Sequence, residues 1–461
     1  MLNTLNELIW NGLVYILVPA GIIFTISSKF VQFRLFARMF KLITDKSDND
    51  TGVSSFQALA LSVGGRVGAG NIAGVAVAVA LGGPGAVFWM WMVGLFGMAT
   101  SLFECALAQL FKRSEKDQYR GGPAHYIVHG LGPQWRWLAG VYSVLLLASF
   151  GVAFVALQSF SIASSFQEAF AIPPFATGIF LAVTVGGAIF GGINRLVKVS
   201  EFVVPIMALL YLLLAAFVIV TNLTELPRVL GSIVANALGF EQVVSGGVGA
   251  AILLGVKRGL FSNEAGLGSA PNVAATAEVK HPMDQGLVQA LSVFIDTLIL
   301  CTCTAMVILL SDIYQPGLES GGITMTQQAL NEHIGGMAGM FVSIILFLFG
   351  FSSILYNYYM GENAIDFFTG QNKHAFNLLR VVTIALVIWA SLQDLSTVLG
   401  FADTTMGMLA LVNLFALVLL FKPGLKLVRD YDQQLKGGAV PRLRARDYSD
   451  FDIDRSVWKD D

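Results

Sequence analysis

Charged side chains are scarce in this chain. Asp, Glu, Lys and Arg together make up 13% of its 461 residues, whereas soluble domains carry about 25%. Hydrophobic residues make up 55% of the chain, and the mean hydropathy is +0.70. The composition excludes a soluble helical protein and predicts one that crosses a lipid bilayer many times.

Cysteine is also rare, and histidine is not clustered. The three cysteines, Cys105, Cys301 and Cys303, all lie inside apolar segments, which excludes a disulfide framework and a paired Cys-x-x-Cys metal site. The histidines lack metal-ligand spacing and fall in predicted loops, where we expect them to be solvated: His125, His129, His281, His333 and His374. The absence of a nucleophile–base or metal constellation argues against an enzyme. Basic residues sit in short loops and not on one face, which argues against a nucleic-acid partner.

Long apolar runs, in contrast, are abundant. About 20 largely apolar residues are needed to cross a bilayer as a helix. Eleven runs qualify, at about 10–28, 56–80, 85–111, 137–165, 174–193, 200–221, 244–275, 286–311, 336–359, 376–393 and 395–421. We number them spans 1 to 11, and they predict an all-α polytopic membrane protein.

Basic residues alternate between the loops and thereby orient the spans, because cytoplasmic loops are enriched in Lys and Arg. The loops after the odd-numbered spans carry Lys29, Arg34, Arg38, Lys41, Lys46, Lys112, Arg113, Lys116, Arg120, Arg136, Arg195, Lys198, Lys280, Lys373 and Arg380. The other loops contain a single basic residue, Arg228. The pattern predicts an external N-terminus and a cytoplasmic C-terminus.

Two spans are interrupted in their middle. Span 2 contains GGRVGAGN at 64–71, and span 7 contains GVKRGLFSNEAGLG at 255–268. A glycine inside a helix costs about 1 kcal/mol relative to alanine, so these stretches predict unwound backbone. Irregular backbone at membrane depth is tolerated only where it is buried in protein or lines a cavity. A glycine-rich helix contact remains the structural alternative.

The two breaks are five spans apart, and five is an odd number, so the two halves of the chain have opposite orientations. This predicts two inverted five-helix repeats, and interrupted helices at matching positions point to a binding site near the bilayer midplane. The predicted organisation is an extra helix at 1–30, an amphipathic cytoplasmic linker at 31–55, repeats at 56–222 and 244–422 joined by an external connection at 223–243, and a polar, peripheral cytoplasmic tail at 423–461.

The first break has the chemistry to bind both an anion and a cation. The N-terminus of a half-helix presents unpaired N–H groups and the positive end of a dipole, which suit a carboxylate. The carbonyl groups of unwound backbone suit a bare cation such as sodium. The backbone of Gly68, Ala69 and Gly70, which leads into Asn71, offers both kinds of group.

Three motifs resemble the alanine/glycine:cation symporter family. They are VGAGNIAGVAVAVALGGPGAVFWMWMVGLFGMATSLFE at 67–104, RGLFSNEAGLGSAP at 258–271 and DTLILCTCTA at 296–305. The resemblance runs over most of residues 10–425. It implies a sodium-driven symporter of small neutral amino acids with the leucine-transporter type of fold, whose five-plus-five repeat agrees with the hydropathy pattern.

The resemblance also implies a sodium site between spans 2 and 9. Gly64 and Val67 match positions whose carbonyl groups bind the ion, and span 9 adds the carbonyl of Phe349 and the hydroxyls of Ser352 and Ser353. Oxygen ligands suit hard cations, a preference extended here from calcium and magnesium to sodium. For the two serines, the alternative is a hydrogen bond to the preceding helical turn.

For the amino acid, the resemblance implies contacts from spans 2, 4 and 7. The matching residues are Gly68, Ala69, Gly70, Asn71, Gln158, Phe261, Ser262 and Asn263. An interhelical hydrogen bond is the alternative for Gln158. Family members that carry alanine and glycine tend to have a tryptophan where this chain has Asn357. The asparagine frees volume and adds hydrogen-bonding capacity, so a larger polar substrate, above all glutamine, remains open.

Ionisable residues inside the spans are expensive and usually paired or functional. They are Arg66, Glu104, Lys257, Arg258, Glu264, Asp296, Glu362 and Asp403. We expect Arg66 to pair with Asp296 or Glu264. For Glu104, Glu362 and Arg258, which lie towards cytoplasmic ends or helix breaks, we expect salt bridges of an inner gate.

The sequence thus predicts a monomeric, multi-pass protein of the bacterial plasma membrane. Its expected function is sodium-coupled symport of alanine or glycine by alternating access, with sodium as the co-transported ion. Glutamine symport and a proton-coupled permease on the same fold are the alternatives, and Ser352 and Ser353 argue against the second. A channel would need a ring-forming filter and oligomeric symmetry.

Overall fold

The computed structural model describes residues 2–44, 53–115, 118–240, 247–315 and 322–459. The helices of the predicted spans are Leu2–Ser27, Ser55–Arg66 with Gly70–Gly74 and Val75–Gly82, Gly85–Leu110, Arg136–Leu146 with Leu147–Phe154 and Val155–Phe170, Pro174–Ile189, Gly192–Thr221, Gly247–Asn263 with Ser269–Ala274, Pro282–Val293 with Phe294–Cys301 and Thr302–Leu309, Ala338–Thr369, Lys373–Ala390 and Leu395–Leu419.

Shorter elements occupy the connections. They are the helices Val31–Arg34, Phe36–Thr44, Pro123–Leu131, Pro133–Trp135, Leu226–Ala237, Ile323–Ile334, Phe421–Lys436 and Ala445–Tyr448, and the antiparallel strands Arg113–Glu115 and Gln118–Arg120. Within the described residues, eight helices are long and apolar enough to cross a membrane, or nine if the bent pair of span 2 counts as one. The predicted all-α membrane fold is confirmed, and eleven spans remains a prediction.

Span 2 breaks where the sequence indicates, but over a shorter stretch. Its first helix ends at Arg66, its second begins at Gly70, and their axes differ by 52°. Val67 adopts an extended conformation with φ −78° and ψ 98°, so its peptide groups leave the helical ladder. We call residues 67–69 the first break.

Span 7 also breaks over a shorter stretch than predicted. Its helix continues through Gly255, where a Cβ would lie 2.5 Å from the carbonyl oxygen of Ala86 at the beginning of span 3, so this glycine serves close packing and not a break. The chain leaves the helix after Asn263 and turns through Gly266 and Gly268, whose φ values of 90° and 82° favour glycine. We call residues 264–268 the second break.

Span 3 runs from one face of the molecule to the other. It has 26 residues, so it is about 39 Å long. It begins near Gly255 and ends beside Phe111, whose ring lies 6.2 Å from that of Phe451 in the C-terminal tail. We call the two ends the N-terminal face and the tail face. Span 3 packs along spans 7 and 8, and span 9 packs along span 4.

The tail packs against the cytoplasmic loops that the sequence predicted. Arg34 pairs with Asp432 at 2.8 Å, and Arg113 pairs with Asp452 at 2.8 Å. The predicted linker at 31–55 is described up to Thr44 and again from Val53, and Lys46 and Lys116 lie outside the described residues. Residues 241–246, which include the beginning of the predicted span 7, also lie outside them.

The prediction of solvated histidines in loops is wrong for most of them. His125, His129, His333 and His374 lie in helices, although the His374 side chain is exposed. His281 is fully buried, because its side chain caps the first turn of span 8 by accepting the N–H of Met283. The polarity of histidine predicts an exposed side chain here, but the hydrogen bond that caps the helix keeps it buried.

Candidate functional site

The first break is stabilised by side-chain oxygens that accept its backbone N–H groups. Asn71 Oδ1 accepts the N–H of Gly68, and Gln158 Oε1 from span 4 accepts the N–H of Ala69, both at 2.9 Å. The structure thus places Gln158 directly at the break, as an interhelical hydrogen bond would require. It also leaves the half-helix with fewer free N–H groups than the sequence predicts.

The five predicted sodium ligands lie together. Ser352 Oγ is 3.1 Å from the carbonyl oxygen of Gly64 and 3.0 Å from that of Phe349. Ser353 Oγ is 3.0 Å from Gly64 O and 3.2 Å from Val67 O. All five residues are buried. The bond from Ser352 to Phe349 is also the predicted alternative, a hydrogen bond to the preceding turn.

One further oxygen at this place was missed by the sequence analysis. The carbonyl of Gly65 lies 2.9 Å from Ser353 Oγ. It is directed there because the helix of span 2 ends one residue later, which frees its last carbonyl groups from helical partners. The sequence predicts both the end of this helix and the two serine hydroxyls. It does not indicate which carbonyl of the last turn contacts them, so it could not identify Gly65.

Asp296 joins residues that flank the two breaks, a role that the sequence analysis did not assign. Its Oδ1 accepts Asn71 Nδ2 at 2.7 Å, and its Oδ2 accepts the hydroxyls of Ser262 and Thr297, both at 2.8 Å. Asp296 lies in the π-helical segment Phe294–Cys301 and is fully buried. The carboxylate therefore connects spans 2, 7 and 8 by charge-assisted hydrogen bonds.

The expected ion pair of Arg66 is not formed. Arg66 donates to Gln289 O at 3.2 Å, to Ser101 Oγ at 3.1 Å and to Ser292 Oγ. Within the described part of the chain, no carboxylate lies within ion-pair distance of it. The prediction was wrong because neutral oxygens from spans 3 and 8 surround the guanidinium.

The second break is stabilised by Glu104 of span 3. The two carboxylate oxygens accept the N–H groups of Gly266 at 3.3 Å and Gly268 at 3.2 Å, and Asn413 Nδ2 donates to the carboxylate at 3.0 Å. The expected inner-gate salt bridge of Glu104 is therefore wrong. An unwound turn has no helical acceptors for its N–H groups, and the carboxylate replaces them.

We expect Glu104→Ala to lower stability strongly. The substitution leaves the N–H groups of Gly266 and Gly268 buried without acceptors, at about 1–3 kcal/mol each. The midpoint of thermal unfolding in detergent should fall by several degrees, and Glu104→Gln should recover part of the loss. Cys105→Ala at the neighbouring buried position is the control. An unchanged midpoint in Glu104→Ala would contradict this role.

A small cavity of about 10 Å³, room for about one water molecule, lies on the N-terminal side of the first break. Its lining residues are Ala69, Gly70, Ala73, Gly74, Val77, Leu157, Arg258, Phe261 and Leu399. Three predicted substrate residues, Ala69, Gly70 and Phe261, line it directly. The ring of Phe261 stacks on that of Phe154 at 4.8 Å, which gives the cavity an aromatic wall.

Other predicted substrate residues surround the site without lining this cavity. Gly68, Asn71 and Ser262 are engaged in the hydrogen bonds at the first break and at Asp296. Asn263 Oδ1 accepts the N–H of Ala265 at 2.9 Å, while its Nδ2 has no partner. Asn357 is fully buried, and both its amide oxygen and its amide nitrogen lack partners.

Buried ion pairs lie towards both faces of the molecule. On the tail face Arg120 pairs with Glu362 at 3.1 Å, so the expected salt bridge of Glu362 is formed, and its role in an inner gate stays a prediction. Arg258 pairs with Asp403 at 2.6 Å, but this pair lies on the N-terminal face, where the backbone oxygen of Asp403 accepts the indole N–H of Trp10. Arg258 and Glu362 therefore lie towards opposite faces and cannot both belong to one inner gate, which is what the sequence predicted.

Comparison with known sequences identifies similar proteins along the whole chain. The model of the sodium:alanine symporter family matches residues 1–445. The amino-acid carrier protein AlsT of Bacillus subtilis is 47% identical, over 100% of this chain and 98% of that protein. The probable sodium/glutamine symporter GlnT of B. subtilis is 43% identical over 95% and 91%. The sodium/alanine symporter AgcS of Methanococcus maripaludis is 34% identical over 91% and 94%.

Among solved structures, the manganese transporter of Eremococcus coleocola, determined with an aromatic bis-isothiourea substituted compound, has a similar fold. The TM-score is 0.57 at 13% sequence identity, and the match covers 83% of each chain. At this identity the similarity concerns the fold alone.

Proposed function

Because the chain belongs to the sodium:alanine symporter family, we propose that it couples the entry of a small neutral amino acid, alanine or glycine, to sodium by alternating access. Membership of the family supports a membrane-embedded carrier of an amino acid and a cation rather than an enzyme. The specific substrate, the ion site and the transport cycle are the proposal. The predicted external N-terminus and plasma-membrane location belong to it as well.

The observation that carries the proposal is the convergence of carbonyl and hydroxyl oxygens between spans 2 and 9. Sodium would replace the hydrogen bonds that the hydroxyls of Ser352 and Ser353 now donate to the carbonyl groups of Gly64, Val67 and Phe349, and the hydroxyls would keep their protons and turn their oxygens to the ion. All of these ligands are neutral, so the bound ion brings a net positive charge. The inward membrane potential then contributes about 2.3 kcal/mol per charge per 100 mV.

The proposed amino-acid site is the small cavity beside the first break, which has to widen towards the surrounding predicted residues, including Asn357, to hold a substrate. Gly70 begins the second half-helix of span 2 and lines the cavity, so the positive end of the helix dipole faces the ligand. Since the same break supplies Val67 O to the sodium site, sodium binding orders the backbone that the amino acid contacts. This shared segment is the proposed physical basis of coupling.

Alternating access is supported by the two ionic clusters. Arg258 of span 7 pairs with Asp403 of span 11 on the N-terminal face, and Arg120 pairs with Glu362 of span 9 on the tail face. The first pair joins span 7, one of the group of spans 2, 3, 7 and 8, to span 11. The second pair joins the loop that follows span 3 to span 9. Breaking one pair while the other holds would open one face at a time.

Glutamine is the second candidate substrate, and Asn357 favours it. This residue lies one turn after Ser353 in span 9 and therefore on the same face of the helix, towards the first break. Buried amide groups usually have hydrogen-bond partners, and the carboxamide of a glutamine substrate would supply both a donor and an acceptor. Alanine and glycine would leave the Asn357 amide unpartnered.

Uptake of labelled alanine, glycine and glutamine into proteoliposomes tests the proposal. We expect uptake to rise severalfold when an inward sodium gradient is applied, for at least one of the three. In Asn357→Trp, glutamine uptake should fall by at least about tenfold relative to alanine uptake, because the ring fills the space and removes the amide. Sodium-independent uptake would overturn the ion coupling. An unchanged glutamine-to-alanine ratio would overturn the role of Asn357.

A further inference from the structure

Arg258 lines the small cavity beside the first break, and two of its buried nitrogens have no hydrogen-bond partner. Its side chain is buried, with 4% of its surface exposed, and it lines the cavity together with Gly70 and Phe261. Nη2 donates to Asp403, whereas Nε and Nη1 have no partner. Buried donors on a charged group are costly to leave unpaired, so these nitrogens call for an acceptor.

The position of the guanidinium is set by its neighbours. Its centre lies 5.3 Å from the centroid of the Phe261 ring, a cation–π distance. The Cδ atom of Arg258 would lie 3.8 Å from a Cβ placed on Gly74, one turn along the half-helix from Gly70. Arg258 therefore lies over the same half-helix whose first residues form the wall of the cavity.

The charges of Lys257, Arg258 and Asp403 determine whether an anionic or a cationic group is favoured next to Arg258. Lys257 Nζ and Arg258 Nη2 lie 2.7 Å and 2.6 Å from the same carboxylate, Asp403. In the part of the chain that the structure describes, no second carboxylate lies within ion-pair distance of either cation. Asp403 is thus shared by two cations, and the charge of Glu7 also acts on Lys257. The Arg258 guanidinium repels the ammonium group of an amino acid and attracts its carboxylate.

We propose that Arg258 binds the α-carboxylate of the transported amino acid, and so determines the requirement for a free carboxylate. The inference rests on the proposed function and deepens it. At the first break, Asn71 and Gln158 already accept the N–H groups of Gly68 and Ala69. Arg258 supplies the donors that this end of the half-helix lacks. Because it also holds Asp403, carboxylate binding competes with the ion pair that closes the N-terminal face.

The test compares amino acids with their α-amides, which lack the negative charge. Equilibrium binding of L-alanine, L-glutamine, L-alaninamide and L-glutamine α-amide is measured on the purified full-length protein in sodium. In Arg258→Gln, affinity for the bound acid should fall by about 10- to 100-fold, the loss of a charge-assisted hydrogen bond. Affinity of this variant for the corresponding amide should stay within about twofold of the wild-type value. The ratio of acid affinity to amide affinity should therefore fall to near one. Arg258→Lys should retain part of the discrimination between acid and amide.

Lys257→Gln is the matched control. It removes the same charge from the same carboxylate partner, but the Lys257 ammonium faces Asn6 and the ring of Trp10 and does not line the cavity. We expect the ratio of acid affinity to amide affinity in Lys257→Gln to equal that of the wild type. Asp403→Asn, which breaks the ion pair and keeps Arg258, should also retain it.

Two results would overturn the role of Arg258. One is equal weakening of acid and amide in Arg258→Gln, and the other is the same collapse of discrimination in Asp403→Asn, since both would assign the effect to the ion pair alone. A wild-type protein that binds neither amino acid in sodium would instead overturn the proposed function. A thermal melt of each variant separates loss of binding from loss of folding.

Discussion

Sodium-dependent transport should be lost when Ser352 and Ser353 are both replaced by alanine. Each hydroxyl lies within 3.2 Å of at least two backbone carbonyl oxygens. Removing two neutral oxygens from a dry cation site costs about 3 kcal/mol or more. The sodium concentration for half-maximal uptake should therefore rise by at least about 100-fold. Uptake in proteoliposomes over a range of sodium concentrations measures it.

Ser391→Ala provides the control for this double variant. Ser391 is also a buried serine; it directly follows the helix Lys373–Ala390, and its hydroxyl donates to the carbonyl of Val387 in the last turn of that helix. Its replacement should leave the sodium dependence unchanged. If the Ser352 and Ser353 double variant kept a wild-type sodium response, the ion would have to bind elsewhere, and the serines would serve as helix back-bonds only.

Gly65→Ala should abolish transport. A Cβ at this position would lie 2.3 Å from two ring atoms of Tyr356 and 2.6 Å from a third. Tyr356 is fully buried, and its hydroxyl donates to Glu264 at 3.1 Å, so the ring has little freedom to move. Overpacking of this kind costs about 1–3 kcal/mol. It would separate spans 2 and 9, which must meet to bring the proposed sodium ligands together.

The effect should appear in two measurements. Uptake should fall to background, and the stabilisation of thermal unfolding by sodium should disappear while a folded protein remains. Gly187→Ala is the control, because Gly187 lies on an exposed part of a membrane helix with nothing within 4 Å of its added Cβ. Normal uptake by Gly65→Ala would show that the contact between spans 2 and 9 tolerates an extra methyl group.

The positions of the breaks illustrate what a glycine-rich sequence can and cannot predict. Glycines at 64–71 and 255–268 indicated both interruptions, but Gly64, Gly65 and Gly255 lie inside helices. These three serve close packing against Ser352, Tyr356 and Ala86 respectively. Glycine has two physical uses, conformational freedom and close approach, and the sequence does not distinguish them.

Buried charges show a similar division. The sequence identified Arg66, Glu104 and Asp296 as costly residues that need partners. It assigned them to one another or to a gate, because opposite charge is the only pairing rule that a sequence supplies. The structure instead surrounds Arg66 with neutral oxygens and gives Glu104 the N–H groups of an unwound turn. Polar backbone freed by a helix break can satisfy a buried charge as well as an ion can.

The sequence by itself determined the class of this protein, because hydropathy and glycine composition act locally along the chain. The spans follow from the hydrophobicity of each segment. The broken helices follow from the low helix propensity of the glycines within them. Only the tertiary structure decided which oxygens of spans 2 and 9 meet, that Asp296 joins residues flanking the two breaks, and that Arg258 lines the cavity. These contacts join residues 34 to 289 positions apart, and their geometry depends on how whole helices pack, which no local pattern encodes.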